Sequence, residues 1–468
     1  MSNEKKKGGY LIFLLTGLLA LFIYLFNDGS DYIKLSYILT FYLAVKLIQD
    51  LGRKVPFVNL VMFITVVQYL LAPALDYEYL RPYNPYFYMK LPQDLYYPYA
   101  FYAVLALWAG FAIPLYRANK DIDFIRALKN SPVVNGKIGI ALIAVGLVSN
   151  YLSLIFHFPN ALNFIITLLG LMRFVGLLFI WLSNHKYKKM IMGAVMIEFT
   201  LYTLASAIII QLVILAIFFY SYYTLVNKPN KIKIISVGVV ALVALFLIQS
   251  VKTDYRRQVW FKGITDDRFQ LFSTLLSDKV NNMTTESFLT TAASVNLRIN
   301  QGWVMQMIMR NLPARRPFLN GTVFEEEAMG LILPRFILTD KATVQSSEKF
   351  EKFVGYKLRG YTIAVGILGD GYGNFGPEGG MLFCFLVGLF FNFCLFIFYK
   401  VSEQNPSVYL WGILVFFYLI RAGDDFYIIS NWIIKSSMLL VAVYFLFKRS
   451  LVMGYKKFSL RRRHLVIQ

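Results

Sequence analysis

The run Gly369-Asp370-Gly371-Tyr372-Gly373-Asn374-Phe375-Gly376-Pro377-Glu378-Gly379-Gly380 closes a stretch, about 252–380, that reads as no membrane span. No other long part of the chain has that character. Before and after it come hydrophobic runs in succession. Of the 468 residues, 58% are hydrophobic and only 16% charged, too little charge for a soluble domain of this length. Repeated apolar runs of roughly 17–22 residues mark a polytopic membrane protein. The stretch before Gly380 therefore covers whatever the helices hold.

The net charge of +21 would point to nucleic acid if it lay on one soluble face. Much of it sits instead in short loops between apolar runs, where the positive-inside rule accounts for it, and no nucleic-acid partner is expected. Spans are predicted at about 10–26, 32–49, 56–73, 98–116, 138–156 and 161–182. The run 190–226 is too long for one crossing of a core about 30 Å thick and divides near Ser206. Further spans follow at about 234–250, 377–399, 407–422 and 429–447. Tyr10 to Phe26 lacks a small-residue cleavage site after it and reads as the first span, not a signal peptide.

Twelve spans place both termini and every strongly basic short loop in the cytoplasm. They place the Tyr/Pro-rich loop 74–97, His157, the stretch 252–376 and Arg421 to Phe426 on the outer side. The expected fold is all-α, with about twelve transmembrane helices and one large helical periplasmic loop. It divides into an N-terminal bundle (1–250), the outer loop (251–376), and C-terminal spans with a basic tail (377–468).

Within 252–360 there are 16 Lys and Arg against 11 Asp and Glu. Arg298, Arg310, Arg315, Arg316 and Arg335 stand in otherwise apolar sequence. Arginine suits bidentate contact with phosphate, so an outer cluster on a membrane protein points to a lipid phosphate; the alternative is ordinary solvated surface charge. Residues 294–312 read as one amphipathic helix, with Pro313, Pro317, Gly321 and Pro334 breaking the chain after it. Glu325-Glu326-Glu327 would point in different directions on a helix, so one or two at most face a site. Gly371 to Gly376 fits G-x-G-x-x-G but lacks the strand and later acid of a nucleotide fingerprint. Glycine there is expected to permit irregular backbone lining a cavity. Cys384 and Cys394 lie on different faces of one helix, which disfavours a disulfide.

The succession Arg298-Ile299-Asn300-Gln301, Pro313, Phe318-Leu319-Asn320-Gly321-Thr322, Leu333-Pro334-Arg335-Phe336 and Asp340-Lys341, followed by the glycine-rich run, resembles the long outer loop of bacterial O-antigen polymerases of the Wzy type. The resemblance covers about 298–380. It implies a glycosyltransferase in the bacterial inner membrane, which moves a growing glycan from one undecaprenyl-diphosphate carrier to a sugar hydroxyl on a second. It leaves room for a chain-length-regulating co-polymerase as partner. Such a transfer needs cations for the departing diphosphate, a carboxylate or His for the acceptor proton, and an apolar slot for the lipid. With no Asp-x-Asp pair and no His/Cys cluster of metal spacing in the outer stretch, the reaction is expected to need no metal or other cofactor.

Arg298, Arg310 and Arg335 are the candidate diphosphate binders, with Lys341 beside them. Asp370 is the candidate general base; the alternatives are a helix cap or a structural ion-pair partner. His157 is a second candidate base. Tyr372 and Asn374 are candidate sugar contacts, and the tyrosines of 74–97 could stack on pyranose faces or form an interfacial belt. Arg173 and Glu198 fall inside spans, where charge is costly; they mark either function or a mutual ion pair. Arg421, Asp424 and Asp425, near Lys435, could complete the acceptor side. Two rival activities share these features: an O-antigen ligase passing glycan to lipid A core, and a transporter or flippase of lipid-linked glycan.

Overall fold

The computed structural model describes residues 16–84, 86–115, 121–130, 132–156, 158–206, 210–261, 267–332, 346–357, 363–421 and 423–446. Among them all regular structure is helical. In order, the helices are α1 (Thr16–Phe26), α2 (Asp31–Asp50), α3 (Phe57–Tyr83), α4 (Gln93–Ala112), α5 (Asp121–Lys129), α6 (Pro132–Ile155), α7 (Asn160–Trp181), α8 (Lys188–Ser206), α9 (Ile210–Asn227) and α10 (Lys231–Arg256). Then come α11 (Arg268–Asn281), α12 (Thr285–Ile299), α13 (Gln301–Asn311), α14 (Thr322–Ile332), α15 (Ser346–Val354), α16 (Gly366–Gln404) and α17 (Phe426–Leu446).

Eight of these are long and apolar enough to cross a membrane: α3, α4, α6, α7, α9, α10, α16 and α17. The protein is a helical membrane protein. The other four predicted spans coincide with helices that fall short of that standard for visible reasons. The described part of α1 is short, and Pro406–Val415 is shorter still. Helix α2 carries Asp31, Lys34, Lys46 and Asp50, and α8 carries Lys188, Lys189 and Glu198. The predicted division near Ser206 falls between α8 and α9.

The bundle has two distinguishable ends. At one, buried Asp121 accepts the Val55 N–H (3.2 Å) and the hydroxyls of Tyr399 (3.2 Å) and Tyr409 (2.5 Å), tying α5 to the entry of α3 and the exit of α16. Lys231 there donates to the carbonyls of Ile48 and Leu51 (2.8 and 2.9 Å), placing a cation at the negative end of α2. At the other end, the exit of α3 meets α12 and α13. Asn392 fixes the register of α16 beside α4 through the carbonyls of Gly110 and Ile113.

The Tyr/Pro loop is shorter than predicted. Helix α3 continues through two π-turns, Val67–Leu71 and Asp76–Leu80, to Tyr83, and α4 starts at Gln93. Proline gives the reason. Pro73 has no N–H, so the Tyr69 carbonyl loses its helical donor; the Tyr96 hydroxyl donates to it instead at 2.8 Å. Tyr97 does the same for Leu70 at 3.1 Å. These tyrosines are buried helix partners, not loop surface.

Candidate functional site at the kinked glycine-rich helix

The glycine-rich run is helical, contrary to the expected irregular backbone, and it reverses once. Gly376 adopts φ 72° and ψ −171° inside α16, a region open to glycine and strained for other residues. The limb 366–375 then folds back against the limb 377–404. On a straight helix Gly371 and Gly380 would be about 13 Å apart. Here a Cβ added to Gly371 would lie 2.8 Å from the Gly380 carbonyl oxygen, and one added to Gly380 2.8 Å from the Gly371 carbonyl carbon. Only glycines allow the limbs to meet.

The reversal exposes backbone, and the segment after α13 covers it. Pro377 removes the donor that the Gly373 carbonyl would have in a helix. The Leu319 N–H fills that place at 3.1 Å, and the Gly321 N–H bonds the Asn374 carbonyl at 3.2 Å. Phe318 packs edge-on against Tyr372, and Phe324 against Phe375. Two motifs some fifty residues apart in sequence, Phe318 to Thr322 and Gly371 to Gly376, thus form one unit joined through orphaned carbonyls.

Beneath the reversal four elements bring charge together. Lys349 of α15 is fully buried. Its Nζ contacts Glu327 of α14 at 2.7 Å, pairs closely with Asp370 of α16, and lies 3.8 Å from Asp425, which immediately precedes α17. The second oxygen of Asp370 accepts the Phe426 N–H (3.1 Å), and Asp425 accepts the Gly366 N–H (2.9 Å). Two helix N-termini and one ammonium therefore face three carboxylates. Burial works against the Lys349 charge, but Asp370, Asp425 and Glu327 outweigh it and hold the amine protonated, its pKa raised. Burial raises the Glu327 pKa against the lowering by the Lys349 ammonium. Nearby, Arg421 grips Asp424 through Nε and Nη2 (2.9 and 3.0 Å) and lies over the Tyr418 ring. Burial nonetheless pushes the Asp424 carboxyl up to about 7.

Above this cluster the surface is cationic. Helix α13 ends in a turn held by buried Asn311, whose carbonyl receives the N–H groups of Arg315 and Arg316 and whose side chain donates to the Phe353 carbonyl at 2.8 Å. Arg310, Arg315 and Arg316 are exposed on this turn. No carboxylate among the described residues pairs with any of the three.

The sequence-derived candidates fall as follows. Asp370 is only 1% exposed and faces Lys349, so as it stands it has no path to an acceptor hydroxyl. That is the structural ion-pair alternative, with Lys349 as the partner. Tyr372 is buried, its hydroxyl on the Leu312 carbonyl (3.3 Å). Asn374 is buried too and donates to the Asp370 carbonyl (3.0 Å); both brace the hairpin. Arg310 is at the surface; Arg298 lies at the exposed end of α12. The predicted amphipathic helix 294–312 is broken at Asn300, whose side chain accepts the Trp303 N–H and starts α13. Arg173 is 2% exposed and sits 3.8 Å from Glu198, which Asn150 also bonds; the two form the mutual pair inside the bundle. Arg335, Lys341 and His157 lie outside the described residues. The cluster also includes Lys349, which the sequence reading passed over. Comparison with protein-family models, with curated proteins and with solved structures finds no match to this chain.

Proposed function

We propose that this chain is a membrane glycosyltransferase that joins undecaprenyl-diphosphate-linked oligosaccharide repeat units at the outer face of a bacterial inner membrane, as the Wzy-type resemblance implies. In this reading the chain crosses the membrane twelve times, with both termini cytoplasmic and residues 251–376 outside. One observation carries it. Two of the motifs that bear the resemblance, Phe318 to Thr322 and Gly371 to Gly376, are hydrogen-bonded into a single unit, and the turn that leads into it exposes Arg310, Arg315 and Arg316.

These guanidiniums are the groups that hold the donor diphosphate and stabilise it as it leaves; each well-placed contact of this kind contributes about 3 kcal/mol in the transition state, on the order of a hundredfold in rate. Arg298 and Arg335 are added to them by the resemblance alone. The reaction uses no metal or other cofactor. Asp370 is a positioning residue: bound to Lys349 and the Phe426 N–H, it fixes the limb 366–375 that the arginine-bearing segment docks on.

Deletion of the gene in its host tests this. A polymerase predicts single repeat units on the lipid core in place of long chains. Loss of all glycan from the core would identify a ligase, and unchanged chains would overturn the proposal.

A further inference from the structure

Beside Arg310 the structure holds exposed aromatic side chains on a rigid support. Residues 86–92, before α4, are short of helix but not loosely held. Gln306 of α13, itself 1% exposed, accepts the Lys90 and Leu91 N–H groups (2.5 and 2.9 Å) and donates to the Tyr88 carbonyl (2.9 Å). Buried Asp76 accepts the Met89 N–H at 2.5 Å. A buried glutamine making three bonds to one loop is a costly device unless the loop must keep its shape.

What that loop presents is aromatic and cationic. Tyr86 is 77% exposed, and the exposed ring of Phe87 packs edge-on against Trp303 of α13 at 5.7 Å. Arg81 and Lys90, both exposed, bracket the Tyr88 ring at 4.6 and 5.3 Å. Of the acids of this region, Asp76 is buried and bonded to Met89, Glu78 is bonded to Tyr37 and Asn27, and Asp94 is exposed at the start of α4. Trp303 and Arg310 are seven residues apart, so they share one face of α13 about 10 Å from each other. That is the reach of a disaccharide.

Resting on the polymerase reading, we infer that Tyr86, Phe87 and Trp303 form a stacking platform for the first sugars of the bound glycan, and that Arg81 and Lys90 select a glycan bearing carboxylates. Rigid aromatic faces suit pyranose rings at little conformational cost. Exposed cations standing on an aromatic ring suit the carboxylate of an acidic sugar.

The test uses the full-length protein in detergent and two oligosaccharides of equal length: a hyaluronan hexasaccharide, acidic, and chitohexaose, neutral. Calorimetry should show the acidic ligand binding at least tenfold more tightly. Tyr86→Ala and Trp303→Phe should each weaken it several-fold, with Tyr86 exposed enough to leave the fold intact. Arg81→Gln with Lys90→Gln should bring the two ligands level. Equal affinity for both ligands in the natural protein, or indifference to Tyr86→Ala and Trp303→Phe, would overturn the inference. So would quenching of Trp303 by bilayer-borne nitroxides, which would make the patch a membrane anchor. Arg310→Ala should abolish polymerisation and spare this binding. If the platform variants bind normally while Arg310→Ala still stops polymerisation, only the platform fails; if Arg310→Ala polymerises normally, the reading beneath it fails.

Discussion

Asp370 and Asp425 each cap the helix that the other belongs to or precedes. The Asp425 carboxylate accepts the first N–H of α16, at Gly366, and the Asp370 carboxylate accepts the first N–H of α17, at Phe426. This exchange satisfies two orphan donors at once. It also fixes the two apolar helices to one another at the level where Lys349 and Glu327 enter from the stretch between α10 and α16. That stretch is thus joined to the bundle through a charged core, not merely packed on it.

Removing Lys349 should therefore be severe. Lys349→Met leaves Asp370 and Asp425 buried without their ammonium, a loss of about 3–5 kcal/mol. Glu327→Gln should cost less, about 1–3 kcal/mol, because the amide oxygen can still accept from Lys349 while Asp370 and Asp425 keep facing the ammonium. Thermal unfolding in detergent would separate them. Equal damage from both would mean that the Lys349 ammonium cannot be held by Asp370 and Asp425 alone.

The reversal at Gly376 should not tolerate a side chain. Gly376→Ala forces a positive φ on alanine and sets its Cβ about 3.2 Å from the Phe318 ring, a strain on the order of 1–3 kcal/mol. Because Leu319 and Gly321 bond the carbonyls beside the bend, limited proteolysis should become faster within 312–322. Unchanged cleavage there would argue that the docking does not depend on the bend.

Asp424 gives a pH signature. Its folded pKa of about 7 lies above the unfolded value of about 3.9, so the folded state binds the extra proton between those limits. Stability attributable to this group is present below about pH 4 and lost as pH rises to about 7. Asp424→Asn, which cannot ionise, should match the natural protein at low pH and gain on it through that window. Parallel stability curves from pH 4 to 8 would contradict the assignment.

Arg173 and Glu198 should behave as a pair. Arg173→Leu alone leaves a carboxylate in the bundle and should destabilise by about 3 kcal/mol or more, while the double change Arg173→Leu with Glu198→Leu should recover most of it. A double variant as unstable as the single would point to a role beyond the pair. Melting of the three variants side by side decides it.

Much of this was legible in the sequence, and the failures have causes. Apolar run length located the helices, since a span must satisfy its own backbone. It misjudged the end of α3 because the Tyr96 hydroxyl replaces the one donor that Pro73 lacks, a compensation made by a residue of the next helix. Gly369 to Gly380 was recognisable as important but not as a hairpin; nothing local says that Gly371 will meet Gly380. Lys349 did leave a trace. It falls in the same stripe as Phe350, Phe353 and Val354 of α15, whereas Lys352 faces out toward Glu326. Its three acidic partners come from other elements, which is why composition alone could not single it out.

The most direct measurement is reconstitution. Purified protein in liposomes, given polyprenyl-diphosphate-linked repeat units, should yield a ladder of lengthening glycans on a gel, and Arg310→Ala should reduce that ladder about a hundredfold or more with folding unchanged. Repeat units that cross the bilayer and never lengthen, or a full ladder from Arg310→Ala, would contradict the account.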